Sequence, residues 1–248
     1  MLAQQTYKAP SLLLPFGDYR AIPRVSNSDL TRLKEEHLGS DNRQPAAQLA
    51  IDQARTFGKA FHQHLLEPET LGTVMQQLMP DMLALNQLDP RLAPRQSEQL
   101  GHLMETVRKD DFCRRYLRQS EKERVVLFNE PTTGVACKAR LDLVYTSPKR
   151  QRVLVLDFKT TSARTQSQFL RSCYDYDYDR QAAFYLDSLR YAGNEWADTR
   201  RFRFVLVGVM KQSPHRLFAV DASSIPNFLD YGRKKYRFWL RKWQDQQD

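Results

Sequence analysis

Two aspartates and a lysine carry the chemistry this sequence could do: Asp142, and the pair in Asp157-Phe158-Lys159. All three fall within Lys138–Thr161, KARLDLVYTSPKRQRVLVLDFKTT. That stretch reads as two strands. Leu141, Leu143 and Tyr145 alternate with Asp142 and Val144, and Val153–Leu156 is an unbroken apolar run, the pattern of a strand covered on both faces. Ser147–Arg152, with one proline and three bases, is the turn. Pairing Thr146 with Val153 in an antiparallel hairpin sets Asp142 opposite Asp157, where Cβ atoms lie about 4.5–5.5 Å apart. Lys159 leaves the same face two residues on, and Phe158 points into the core. Opposed carboxylates repel, and either a shared proton or a cation relieves them. A hard divalent ion that keeps open water positions is the commoner use of paired aspartates with a nearby lysine. The alternative is a salt-bridged Asp–Lys cluster on a half-exposed sheet. A one-residue slip of register would separate the two acids.

At these residues a family resemblance appears. Asp142 followed by Asp157-x-Lys159 on the next strand resembles the split acid–acid–x–lysine motif of the restriction-endonuclease-like PD-(D/E)XK nucleases. The strand ending DFKTT is similar to the RecB and exonuclease VIII (RecE) branch. Phe57-Gly58-Lys59-Ala60-Phe61-His62, followed by Leu65-Leu66-Glu67-Pro68, resembles that branch's histidine helix, and Gln181-Ala182-Ala183-Phe184-Tyr185 its Q-x-x-x-Y element. The order matches the family's and spans about Val25 to Arg190. Leu141 departs from it, standing where many relatives have proline.

The resemblance implies an α/β fold with a restriction-endonuclease-like core, a small mixed β-sheet flanked by helices, and a helical N-terminal half that supplies His62. It implies Mg²⁺ or Mn²⁺ held by Asp142, Asp157, His62 and the Phe158 carbonyl. Lys159 would orient or deprotonate the attacking water, or offset charge on phosphorus. Glu123 is a further catalytic candidate, because related exonucleases often show an acid there; a surface glutamate at a strand start is the alternative. Gln181 and Tyr185, at i and i+4 on one helix face, would contact DNA; the alternative is an ordinary helix surface. The implied substrate is linear double-stranded DNA, degraded 5′ to 3′. Such enzymes often form homo-oligomeric rings and cooperate with a single-strand annealing protein in phage-type recombination. The rivals are a single-strand-specific or endonucleolytic RecB-like enzyme, and a non-catalytic DNA-end-binding module on the same fold.

Composition bounds these readings. The chain has 248 residues, with 38 Lys and Arg against 29 Asp and Glu, a formal charge of +9. That balance favours a polyanionic partner, most simply nucleic acid, although a merely basic protein would show it too. No apolar run approaches the roughly 18 residues of a membrane-spanning helix. The N-terminus lacks the basic and apolar regions of a signal peptide, so a reducing cytoplasm is expected. Cys113, Cys137 and Cys173 are odd in number, far apart and without a C-x-x-C pair. This speaks against zinc, a disulfide framework and the four-cysteine iron–sulfur cluster of some RecB-like nucleases.

Residues 1–24, with Pro10, Pro15 and Pro23, read as an extended arm, and 25–248 as a single nuclease domain. Ser28 is the expected N-cap of a short helix, and Gly39–Pro45 a polar loop. Ala46–Leu66 is a helix whose Phe57, Phe61 and Leu65 form a core stripe. Gly58 beside it would allow close backbone approach. A lone histidine beside such a stripe is usually a satisfied core residue, so a ligand role for His62 rests on the resemblance; His64 is expected on a solvent face. Pro80, Pro90 and Pro94 divide the following helical pieces, the last running from Ser97 through Leu117. Glu123–Asn129 and Arg201–Met210 read as strands, with Arg216–Val220 as an edge partner. Tyr174, Tyr176 and Tyr178 alternate with Asp175, Asp177 and Asp179, which breaks helical period and marks a bend. Ile225–Gln244 is a final helix with Tyr236, Trp239, Leu240 and Trp243 inside. Arg233, Lys234, Arg237 and Arg241 form its basic face, either solvated or lining a DNA channel.

Overall fold

The computed structural model describes residues 16–39, 44–68, 71, 88–89, 91–149, 152–192 and 201–247. Among the described residues five helices come first: α1 (Phe16–Ala21), α2 (Asn27–His37), α3 (Pro45–Leu66), α4 (Pro94–Lys109) and α5 (Asp111–Gln119). Strands β1 (Glu121–Asn129), β2 (Ala136–Thr146) and β3 (Arg152–Thr161) follow, then α6 (Gln166–Asp175), α7 (Tyr178–Tyr191), β4 (Arg201–Met210), β5 (Leu217–Asp221) and α8 (Phe228–Asp245). The sheet is mixed and its spatial order is the chain order. Short turns join the antiparallel pairs β1–β2, β2–β3 and β4–β5. Among the described strands only the pair β3–β4 is parallel, and that step needs a crossover, which α6 and α7 supply.

The hairpin forms in the expected register, Thr146 opposite Val153 and Leu143 opposite Leu156. Strand β3 is central, and its apolar run serves two cores, as continuous hydrophobicity requires. Val153 and Val155 join Leu30 and Leu33 of α2, Phe169 of α6, Phe184 of α7 and Leu240 of α8. Leu154, Leu156 and Phe158 join Phe57, Phe61 and Leu65 of α3 and Leu100, Leu103 and Val107 of α4. The α/β architecture, the small mixed sheet and the helical N-terminal half are therefore as expected. No described helix is long and apolar enough to cross a membrane.

Several local expectations are corrected. Ser26, not Ser28, caps α2: its hydroxyl accepts from the Asp29 N–H at 3.3 Å and the Asp29 carboxylate accepts from the Ser26 N–H at 2.9 Å, a capping box. The stretch from Ser97 to Leu117 is two helices, because Asp110 leaves helical geometry and caps α5 by accepting from the Cys113 N–H at 2.8 Å. The described part of the arm is not extended. It forms α1 and docks on the sheet, where the Lys138 ammonium donates to the carbonyls of Tyr19, Arg20 and Ile22 at 3.1, 3.1 and 2.7 Å. Residues 1–15, the loop positions 40–43 and the segment with Pro80 and Pro90 lie outside the described residues. Nothing described comes within 4 Å of a Cβ built on Gly58, so close approach is not its use. On α8, two of the four bases are committed. Arg233 binds Asp187 at 2.9 Å and Arg237 binds Glu130 at 3.0 Å, and both acids are fully buried. These pairs fasten the helix to α7 and to the β1–β2 turn rather than leaving a free basic face.

Candidate active site

The site forms where β1, β2 and β3 lie side by side and α3 crosses them. The β2–β3 ladder ends at Leu143–Leu156. One step further, Asp142 Oδ2 accepts the Phe158 N–H at 2.9 Å, which holds the two strands together without a ladder bond at that point. On the other side, Glu123 stands between the paired Lys122–Leu143 and Arg124–Leu141 and so faces Asp142. Its φ of 48° is left-handed. For a non-glycine residue that costs of order 1–3 kcal/mol and persists only when the surroundings enforce it. From α3, His62 places Nδ1 3.3 Å from Asp142 Oδ2. One ligand atom each from His62, Glu123 and Asp142 lie within 4.8 Å of one another.

Asp157 is fully buried next to this group, with Oδ2 2.5 Å from the Lys159 ammonium. Apart from Lys159, its carboxylate oxygens have no hydrogen-bond partner among the described residues. Lys159 also lies over the Tyr178 ring, 5.0 Å from its centre. Arg140 Nε is 2.5 Å from Glu123 Oε2, and the same guanidinium pairs with Glu67 at the end of α3.

Burial and charge divide these groups. Burial lifts Asp157 to about 6; Lys159 pulls it back and Asp142 adds to the rise. Burial and the Asp142 charge push Glu123 up to about 8 against the pull of Arg140. Burial acts on Asp142 in the same sense, but the charge and hydrogen bond of His62, with Lys159, outweigh it and hold Asp142 low. Burial disfavours charge on His62 and Lys159 too. Asp142 overcomes it at His62, and Asp157 with Asp142 at Lys159, so both are raised. The site thus gathers three carboxyl groups, two of them held protonated toward higher pH chiefly by burial. Hard oxygen donors, one imidazole and buried carboxylate oxygens short of partners make a donor set that fits a divalent cation.

The family comparison agrees with this geometry. Residues 32–246 match the family model described as a PDDEXK-like domain of unknown function, DUF3799. The chain belongs to this family. It is accordingly a PD-(D/E)XK-superfamily protein. A crystal structure of a presumed exonuclease from Eubacterium rectale superposes with a TM-score of 0.58 at 13% identity, covering 93% of this chain and 86% of that one. At such identity the likeness shows the fold. The structure of SSO0001 gives a TM-score of 0.34 at 17% identity over 80% of this chain and 65% of that one, too low to carry an argument. No curated protein matches.

The remaining candidates of this PDDEXK-like chain fall into place around the core group. Gln181 and Tyr185 share one face of α7, one turn apart. Burial first, then the nearby Asp157 charge, raises Tyr185 well above its ordinary value, which sets it on the Asp157 side of the site. The Phe158 ring is buried in the second core layer and its N–H is taken by Asp142.

His64 is a correction: it is buried, with Nε2 3.2 Å from Asp89 Oδ2, and Asp89 is also held by Arg91. The C-terminal half of α3 is covered by the sheet on one side and α4 on another, so two of its faces are inside. Arg140, Glu67 and Tyr178 were missed. Arg140 precedes Asp142 by two residues on the same strand, and Glu67 lies inside the histidine-helix segment, so strand parity and that segment were the available signals.

Proposed function

We propose that this protein is a divalent-metal-dependent deoxyribonuclease, an exonuclease that hydrolyses phosphodiester bonds of linear double-stranded DNA. The supporting observation is the convergence of His62, Glu123, Asp142, Asp157 and Lys159 from α3 and three adjacent strands into one partly buried, carboxyl-rich site. His62, Glu123 and Asp142 would hold the Mg²⁺ or Mn²⁺, with Asp157 and the Phe158 carbonyl as further donors. A cation there supplies Lewis-acid polarisation of a phosphoryl oxygen and lowers the pKa of water.

The chain's own residues do the rest. Lys159, kept charged by Asp157 and Asp142, presents an ammonium that orients the attacking water and offsets charge building on the phosphoryl oxygens. Asp142 keeps its low pKa through His62, so it remains an anion across the neutral range. Gln181 and Tyr185 would contact the DNA backbone from the α7 side. Arg140 holds Glu123 in its strained position.

Polarity 5′ to 3′, assembly into a ring and cooperation with a single-strand annealing protein in phage-type recombination extend this reading through the family resemblance. The test is digestion of end-labelled linear duplex, single-stranded DNA and covalently closed circles, with Mg²⁺, with Mn²⁺ and with chelator. Linear duplex should be degraded only with metal, circles should survive, and Asp157→Ala should be inactive. Cutting of closed circles would make the enzyme an endonuclease. Metal-dependent binding with no cleavage of any DNA would make it an end-binding module.

A further inference from the structure

The bend between α6 and α7 carries an aromatic that neither core uses. Tyr176 is 68% exposed, although Asp177 beside it and Tyr174 two residues before it are held in place. Asp177, next in sequence, has a left-handed φ of 55° and is buried. It is clamped by Lys34 of α2 at 2.6 Å and Lys235 of α8 at 2.9 Å. Tyr174, on the other side, packs edge-to-face on Phe228, ring centres 5.0 Å apart. Two helices distant in sequence therefore hold one strained residue so that Tyr176 stands out at a defined place.

That place is beside the active site. The Tyr176 ring centre is 5.9 Å from that of Tyr178, and the Tyr178 ring is 5.0 Å from the Lys159 ammonium. Tyr176 is thus within about 11 Å of Lys159, roughly three steps of a stacked strand at ~3.4 Å each. Fully exposed tyrosines pointing at nothing are ordinary on a surface, but one fixed by a doubly clamped, strained neighbour beside a reacting lysine is not. An aromatic face serves every base, and stacking on it requires a base whose own face is not covered by a neighbour.

We propose that Tyr176 is a stacking platform for an unpaired base of the strand whose phosphate lies at Lys159. This inference rests on the nuclease reading above and deepens it. The chain would act on a strand that is single or locally unpaired within a few nucleotides of the scissile bond, whether it enters as single-stranded DNA or frays from a duplex end. Tyr176 is then a positioning residue, while Tyr178 beneath it packs against Lys159.

The experiment compares wild type, Tyr176→Ala and Tyr176→Trp in steady-state cleavage of three oligonucleotides: single-stranded, duplex with a short unpaired end, and blunt duplex. One base–aromatic stack corresponds to roughly 5- to 150-fold in affinity. Tyr176→Ala should raise KM by that factor on the two substrates with unpaired ends, with kcat changed far less. Tyr176→Trp should restore wild-type KM. Because Tyr176 is exposed, the melting temperatures of all three proteins should agree. An unchanged KM for Tyr176→Ala on the two substrates with unpaired ends, or a loss confined to kcat, overturns the proposal while leaving the nuclease intact. A wild-type protein that cleaves no DNA overturns the nuclease reading, and this inference with it.

Discussion

Lys159→Ala separates a catalytic lysine from a merely structural one, because stability and turnover should respond to different conditions. In the wild type, the ammonium sits 2.5 Å from Asp157 Oδ2 and holds that buried acid at about 6. Without it, Asp157 loses its one cationic neighbour at bonding distance, and its pKa climbs further. A carboxyl whose folded pKa lies above its unfolded value takes up protons on folding, so stability falls as pH rises through the interval between the two. In the wild type that fall ends near pH 6; in the variant it continues upward. Each additional unit is worth about 1.4 kcal/mol, so the variant's loss of stability should be greater at pH 8 than at pH 6, by about 2–4 °C in Tm for each kcal/mol in a chain of this size. Millimolar Mn²⁺ should recover most of the loss at pH 8, since a dication neutralises the carboxylates that the ammonium no longer serves. Turnover should not recover: loss of a positioned donor to developing charge is worth about 10²–10³ in rate. Thermal melts at pH 6 and 8, with chelator and with Mn²⁺, run beside a cleavage assay, read all of this. A variant equally stable at both pH values, or one that still cleaves at the wild-type rate, refutes the reasoning.

Three further outcomes follow from the geometry. Divalent affinity, measured by titration calorimetry, should rise from pH 6 to pH 8 with proton release on binding, because Glu123 near 8 and Asp157 near 6 must give up protons to a cation; affinity independent of pH would contradict this. His62→Ala should weaken Mn²⁺ binding by about 10-fold or more with its Tm in chelator changed little, His62 being partly exposed; unchanged Mn²⁺ affinity would remove His62 from the donor set. Gly232→Ala should destabilise the fold by about 3 kcal/mol or more, since a Cβ there would overlap the Asp179 backbone carbonyl where α7 and α8 touch; a melting temperature within 1–2 °C of wild type, roughly the shift of 0.5 kcal/mol, would show that the helices can part.

What could be read in advance, and what could not, divides along the chain by distance. The β2–β3 hairpin was legible because one turn and one alternation determine its register, and the unbroken run Val153–Leu156 already declared a strand with a core on either side. That register predicts Asp142 opposite Asp157, one step beyond the last paired residues, Leu143 and Leu156. The expected helix start, Ser28, lies two residues past the true cap at Ser26, and the break at Asp110 is not expected at all, because several polar side chains could cap and the backbone geometry that chooses among them is invisible in the letters. His64 was misassigned for a different reason. Helical period gives the number of faces, but not how many of them a neighbour covers, and Asp89 and α4 approach from 25 or more residues away. Glu123 shows the same limit inside the site. A single left-handed residue takes it out of a strand that otherwise looks regular, and the Arg140 that holds it is itself tied to Glu67 across 73 positions. The acids that meet through a hairpin are a local consequence of sequence. His62, which would join them at a cation, arrives only because α3 packs over the sheet, while Glu123 comes in on β1 beside β2. Mutations in that packing layer, far from any acid, should therefore loosen metal binding before they unfold the sheet.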